Sequence, residues 1–279
     1  MYRSIWKQCH KSVCQLNFYS SDGINLISMT GFKVNGQFLI TDDYLFKIYK
    51  AAEVSITFVD ADGCTEYASI RVPMCEFKKR ILKGIEKDKT PFAAINIDFD
   101  EFKNIPSLKL KTKNEMVEIG QPIAVMGFQL SRDNLSIKTG ILSSSFFENN
   151  GLKYYHVNSS VKQGNSGSPI INAETGEVIG ILGHKLASIT QSHKRMKQII
   201  NNNLAILKKN QGKFNVEEID PVQVLIANQN QIKYIANEIY KTATMSNGYA
   251  LDTKYVHELF EEFVDAEVSQ SSETIHIGN

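Results

Sequence analysis

From residue 11 to about residue 190, short apolar or alternating runs are separated by Gly, Asn and Asp. They are Lys11–Tyr19, Leu26–Val34, Gln37–Ile40, Glu53–Val59, Tyr67–Val72, Phe92–Ile97, Ile123–Phe128, Ser136–Ser144, Lys153–Val157, Pro169–Asn172 and Val178–Leu182. Many short strands with turn residues between them predict an all-β sandwich or barrel. No fixed-period repeat is present, which argues against a propeller or a solenoid. Lys103–Val117 is polar and charged and suits a linker between two halves. Past residue 190 the period changes to that of helices. Ser192–Lys209 reads as one helix. Pro221 to about Met245 reads as a second, with Leu225, Ile232, Ile235 and Ile239 on one face. Asp252 caps a third, to about Glu267, with Val256, Leu259, Phe260 and Phe263 apolar. The last dozen residues read as frayed.

Composition narrows this picture. The chain has 279 residues, enough for one domain of roughly 200 residues and a smaller appendage. A hydrophobic fraction of 42% and a charged fraction of 22% predict a packed core rather than disorder. The net charge of +1 gives no bulk attraction to nucleic acid or to an anionic membrane. No apolar run reaches the roughly 20 residues that span a bilayer. Met1–Leu16 is broken by Arg3, Lys7, Gln8, His10 and Lys11, so it does not read as a signal peptide. The four cysteines, Cys9, Cys14, Cys64 and Cys75, then read as reduced thiols in a cytoplasm. Cys9 and Cys14 lack the spacing of a zinc or redox pair, and neither a metal nor a cofactor is expected. The lysine-rich stretch Lys78–Lys89 has no interleaved aromatics and reads as a solvated loop.

The candidate chemistry lies in Val161-Lys162-Gln163-Gly164-Asn165-Ser166-Gly167-Ser168-Pro169-Ile170. A nucleophilic serine needs its hydroxyl on a tight turn and backbone N–H groups aimed at the developing oxyanion. Glycines on both sides of Ser166 permit such backbone geometry, and Pro169 fixes φ at the entry to the next strand. The N–H groups of Gly164 and Ser166 are the expected oxyanion donors.

Gly164-Asn165-Ser166-Gly167-Ser168-Pro169 resembles the GNSGGP signature of the trypsin-like superfamily, most closely its HtrA/Deg branch, with Ser168 in place of a glycine. Gly176-Glu177-Val178-Ile179-Gly180-Ile181 resembles the G-E-V-I-G-I strand that follows it. Upstream, Ile119–Gly127 resembles G-D-x-V-x-A-x-G and Thr139–Ser143 resembles S-G-I-V-S. Thr30-Gly31-Phe32 resembles S-G-F, and Phe38-Leu39-Ile40-Thr41 resembles Y-I-L-T. The resemblance runs in order from residue 11 to about 190. It implies a chymotrypsin-like double β-barrel, two six-stranded antiparallel barrels at about 11–102 and 117–190, with a cleft between them. Residues 191–279 are then a C-terminal α-helical extension. The resemblance also implies a degenerate triad. Tyr44 stands at the histidine position of Y-I-L-T-N-N-H-V, and Pro91 at the aspartate position of D-L-A-V-L. No histidine lies between His10 and His156, so no local shift restores one.

Serine is a weak nucleophile until a base takes its proton, and tyrosine, titrating near about 10, is a poor acceptor at neutral pH. Loss of the base costs on the order of a million-fold in turnover. Lys47, Asp42, Asp43, His156 and His184 are the other bases to weigh. The ordinary reading of each is a surface or packed side chain, and of Asp42 and Asp43 exposed loop charges.

The resemblance further implies a peptide groove along Ile181-Leu182-Gly183, with Ser160 at the bottom of a neutral, small-to-medium pocket. The expected partner is an extended peptide or protein segment in the cleft, with the C-terminal helices as an arm for a protein partner. Three readings follow: an inactive protease homologue that binds peptides or proteins, or regulates; an active serine endopeptidase with an unconventional or partner-supplied base; and a purely structural barrel.

Overall fold

The computed structural model describes residues 1–48, 50–83, 91–129, 132–162, 164–183, 187–213, 220–243 and 247–263. It divides into two units: residues 1–184 with 247–279, and residues 185–246.

In the larger unit the helix α1 (Tyr2–Cys9) precedes β1 (Val13–Tyr19), β2 (Asn25–Val34), β3 (Phe38–Asp42), β4 (Glu53–Val59) and β5 (Glu66–Pro73). Then come α2 (Met74–Lys79), β6 (Ile81–Lys83) and β7 (Phe92–Asn96). The second half holds β8 (Pro122–Gln129), β9 (Arg132–Phe147), β10 (Lys153–Ser159), β11 (Pro169–Asn172), β12 (Val178–Gly183) and β13 (Asn247–Asp252). In the smaller unit α3 (Ala187–Asn210) and α4 (Pro221–Ala243) form a hairpin. A helix α5 over 254–263 follows β13 in the larger unit.

All strand pairs are antiparallel. The second half closes as a six-stranded barrel in the order β10-β13-β12-β11-β8-β9. The first half departs from the expected six-stranded barrel: among the described residues it is a seven-stranded sheet ordered β5-β4-β1-β2-β3-β7-β6. Most strands are buried on both faces, which is why their apolar runs are nearly continuous. On β3, Leu39 joins the first half's core with Leu16, Phe18 and Phe58. Its neighbour Ile40 joins Phe92, Met126, Phe128 and Ile171 in the core between the halves. On β8, Ile123 and Val125 fill the second barrel with Tyr155 and Ile170.

Three boundaries differ from expectation. First, β13 closes the barrel and α5 packs Val256 and Leu259 into the shared core, so residues 247–263 belong to the larger unit and not to an extension from residue 191. Only α3 and α4 make up the second unit, as an insertion between β12 and β13. A single strand separated from its sheet by two helices carries no local signature of its partners. Second, the Lys78–Lys89 stretch is not all loop. It holds the last residues of α2, directly after Phe77, which is buried against Phe18 with ring centroids 6.2 Å apart, and it holds β6. Residues 84–90 lie outside the description. Third, the 103–117 linker is packed down. Leu108 and Lys111 are buried, and Leu110 bridges to Val178.

Lys111, at 1% side-chain exposure, forms an ion pair of 3.0 Å with Asp252 at 2%. The second carboxylate oxygen of Asp252 accepts from the Tyr155 hydroxyl at 2.7 Å. This network ties the linker to the last strand.

Candidate functional site

Ser166 sits on a loop clamped from both halves of the larger unit. Gly164 and Gly167 flank it at φ +97° and +84°, left-handed conformations that L side chains rarely adopt. The loop's spine is Asn165, fully buried. Its amide N donates to Phe128 O at 2.7 Å, and its Oδ1 accepts from Lys162 N at 2.9 Å and from Lys138 Nζ at 2.5 Å. Those bonds hold the loop to β8 and β9.

The first half grips the same loop through Thr30 on β2. Its hydroxyl donates to Gly164 O at 2.8 Å and accepts from Phe128 N at 3.0 Å. Its N–H donates to Ser166 O at 2.9 Å, and its carbonyl accepts from the Thr41 hydroxyl at 2.7 Å. Among the described residues the N–H groups of Gly164 and Ser166 have no backbone acceptor, whereas those of Asn165, Gly167 and Ser168 do. These are the two N–H groups that an oxyanion pocket at Ser166 would use. Ser168 packs against Gly127, where a β-carbon would overlap its Oγ.

The Ser166 hydroxyl donates a hydrogen bond to Oδ2 of Asp42. Asp42 is therefore no exposed loop charge: it is the last residue of β3 and only 2% exposed. β3 runs two residues beyond Ile40, and alternation puts Asp42 on the face of Ile40, toward the second half. Tyr44 follows in a 3₁₀ turn over Asp43–Lys47. The side chains of Tyr44 and Lys47 lie outside the description, as does His184. Pro91 is half-buried directly before β7, where Phe92 pairs with Asp42, so it lies at the same end of the sheet as Ser166.

None of the described histidines reaches Ser166. His10 stacks on Trp6 at 5.8 Å and bonds Trp6 O, and His156 stacks on Tyr249 at 5.3 Å. His193 bonds Asn237 within the helical hairpin, and His257 bonds Lys111 O.

The expected substrate strand is only partly available. Ile181 and Leu182 lie inside β12, paired with β13. On the other side Leu182 N donates to Ser168 O, and Leu182 O accepts from Gly167 N. Both edges are taken, so these two residues support the nucleophile loop rather than offer backbone to a peptide. Gly183, half-exposed at the end of β12, borders that loop. Ser160 is exposed, six residues before Ser166.

A family model for a trypsin-like peptidase domain matches residues 29–181. The chain belongs to that family. Among curated relatives, serine protease HTRA1 of Xenopus laevis is 29% identical over 120 residues, covering 37% of this chain. The Xenopus tropicalis protein matches equally, and the aligned part spans 26% of the length of either relative. Among solved structures, the HtrA-type protease AlgW with tripeptide superposes at a TM-score of 0.50 and 17% identity, over 65% of this chain and 54% of that one. Deg5 does so at 0.50 and 15%, over 66% and 84%. These likenesses are to the fold.

In a trypsin-like site the acceptor beside the serine decides the chemistry. A carboxylate titrates near about 4 and an imidazole near about 6.5. At neutral pH the carboxylate therefore has far less drive to take the serine proton than an imidazole. Its charge also opposes the anionic oxygen that attack would build. Asp42 is the acceptor that the described residues place beside the Ser166 hydroxyl. The residues whose part in the site sequence reasoning missed are Thr30, Asp42 and Lys138. For Asp42 the signal was present, since it sits two positions from Ile40. For Thr30 and Lys138 the contacts are with the Ser166 loop, more than 25 residues away in sequence, and no local pattern announces them.

Proposed function

We propose that this chain is a trypsin-like serine protease homologue whose nucleophile is retained but not activated, and that its cleft serves as a peptide- or protein-binding module. The observation that carries this is the hydrogen bond from Ser166 Oγ to the buried Asp42 carboxylate. A clamped loop whose Gly164 and Ser166 N–H groups have no backbone acceptor among the described residues, beside an unactivated hydroxyl, supports recognition without turnover. The helical hairpin adds a second contact surface of the kind a protein partner covers: Ile199, Ile206, Ile232, Ile235 and Ile239 are all exposed there.

A library of extended peptides titrated against the full chain at neutral pH tests the reading. Bound peptides are expected to be recovered intact, with Ser166→Ala binding as the parent does. Peptide cleavage that disappears in Ser166→Ala contradicts it.

A second reading is favoured by the same hydrogen bond, which has the donor–acceptor sense of a nucleophile with its base. On that reading Asp42 is the unconventional base, which acts in its deprotonated form. Turnover would then be present at neutral pH and vanish in both Ser166→Ala and Asp42→Asn.

A further inference from the structure

The charge around the nucleophile loop is lopsided. Lys138 on β9 is half-buried, and its ammonium reaches the neutral Asn165 at 2.5 Å, one residue before Ser166. Lys162 stands exposed on the same loop. Burial first, and the charge of Lys162 second, hold the Lys138 ammonium down to about 8. That is well below the ordinary lysine value and is what a cation without an anionic partner shows. Among the described residues neither lysine has a carboxylate within ion-pair distance. Asp42 is engaged by the Ser166 hydroxyl, and Asp133, on the same strand as Lys138, accepts from Gln15 at 3.2 Å.

An ammonium has three N–H donors. One is given to Asn165, and among the described residues the other two have no acceptor. A half-buried cation with donors to spare gains most from a ligand that brings its own carboxylate, since charge-assisted hydrogen bonds are the stronger kind.

Resting on the peptide-binding reading above, we infer that Lys138, helped by Lys162, is the specificity determinant of the cleft and selects peptides bearing a carboxylate beside the Ser166 loop. Lys138 then has two tasks. It steadies Asn165, and so the loop that carries the free N–H groups, and it presents positive charge to the ligand. The carboxylate comes either from a Glu or Asp side chain or from a peptide's C-terminus.

Four forms of one extended peptide distinguish these sources: Glu or Gln at a central position, each with a free or an amidated C-terminus. At neutral pH and low salt the form carrying the recognised carboxylate is expected to bind on the order of tenfold more tightly than its uncharged partner. Lys138→Gln should remove that difference and Lys138→Arg should keep it. Equal affinities for charged and uncharged forms, or a preference that survives Lys138→Gln, overturns the inference.

A second readout does not depend on peptides. Sodium acetate titrated against the wild-type protein should shift the Lys138 side-chain NMR signals, while sodium chloride at matched ionic strength should not. No acetate-specific shift overturns the inference. A shift without binding of any peptide leaves the carboxylate site standing and overturns the peptide cleft instead.

Discussion

Replacing Gly167 by alanine should destabilise the larger unit by about 3–5 kcal/mol, the largest effect expected of any single methyl group in the loop. Two costs combine. Gly167 holds φ +84°, and a left-handed conformation costs an alanine roughly 1–2 kcal/mol. The added β-carbon would also fall well inside contact distance of Thr30 O and Thr41 Oγ1, and 3.0 Å from Asp42 N. Two of those three are backbone atoms, on β2 and β3, which the sheet ladder holds in place. They can yield only by pulling the Ser166 loop away from the first half, which breaks the bond from Thr30 N to Ser166 O. Gly36 is the control. It has φ +78°, but a β-carbon there would meet nothing within 4 Å, so Gly36→Ala should show the conformational cost alone, about 1 kcal/mol. Thermal or urea unfolding checks both. Equal losses for the two variants would mean that the loop is not clamped between the halves.

Asp252→Ala should cost about 3–5 kcal/mol, because it leaves a buried ammonium without its partner. Lys111 is as buried as Asp252, and their 3.0 Å pair is supported by Tyr155 at 2.7 Å and by Lys254 N at 3.0 Å. Burial, with Asp252 next, also pushes the Tyr155 hydroxyl far above its usual range, so it stays a neutral donor. The network joins the linker to β13, the strand that returns after α4 to close the second barrel. Removing both charges together, as Lys111→Met with Asp252→Asn, should recover most of the loss, since the penalty comes mainly from the stranded partner. A double variant no more stable than Asp252→Ala would show that the pair itself, rather than the unpaired lysine, sets the effect.

Most strands of the larger unit were legible because they bury at least one face and leave an apolar run with a turn residue at its end. The loop around Ser166 was legible because Gly164 and Gly167 both hold backbone angles that only glycine adopts cheaply. Asp42 shows where this stopped. Two polar residues, Thr41 and Asp42, continue β3 past its last apolar residue, and a reading by hydrophobicity ends the strand at Ile40. Polar residues buried in a strand depend on specific partners, here Thr30 and Ser166, and those partners come from distant parts of the chain. β13 escaped for a further reason. Asn247–Asp252 is rich in Asn, Gly, Ala and Asp, which strands disfavour, two helices precede it and one follows, and its pairing with β10 and β12 is purely long-range. Ile181 and Leu182 were placed in the correct strand, but which of its edges was already occupied depends on β13.

Whether a carboxylate beside Ser166 can activate it separates an unactivated homologue from a working hydrolase. The direct test is the rate at which a fluorophosphonate probe modifies Ser166 in the folded full chain at neutral pH, read by intact mass and by mapping the labelled residue. Without an effective base the reaction should fall on the order of a million-fold below that of a Ser–His pair, leaving Ser166 unlabelled. Rapid, stoichiometric labelling at Ser166 would contradict the unactivated serine.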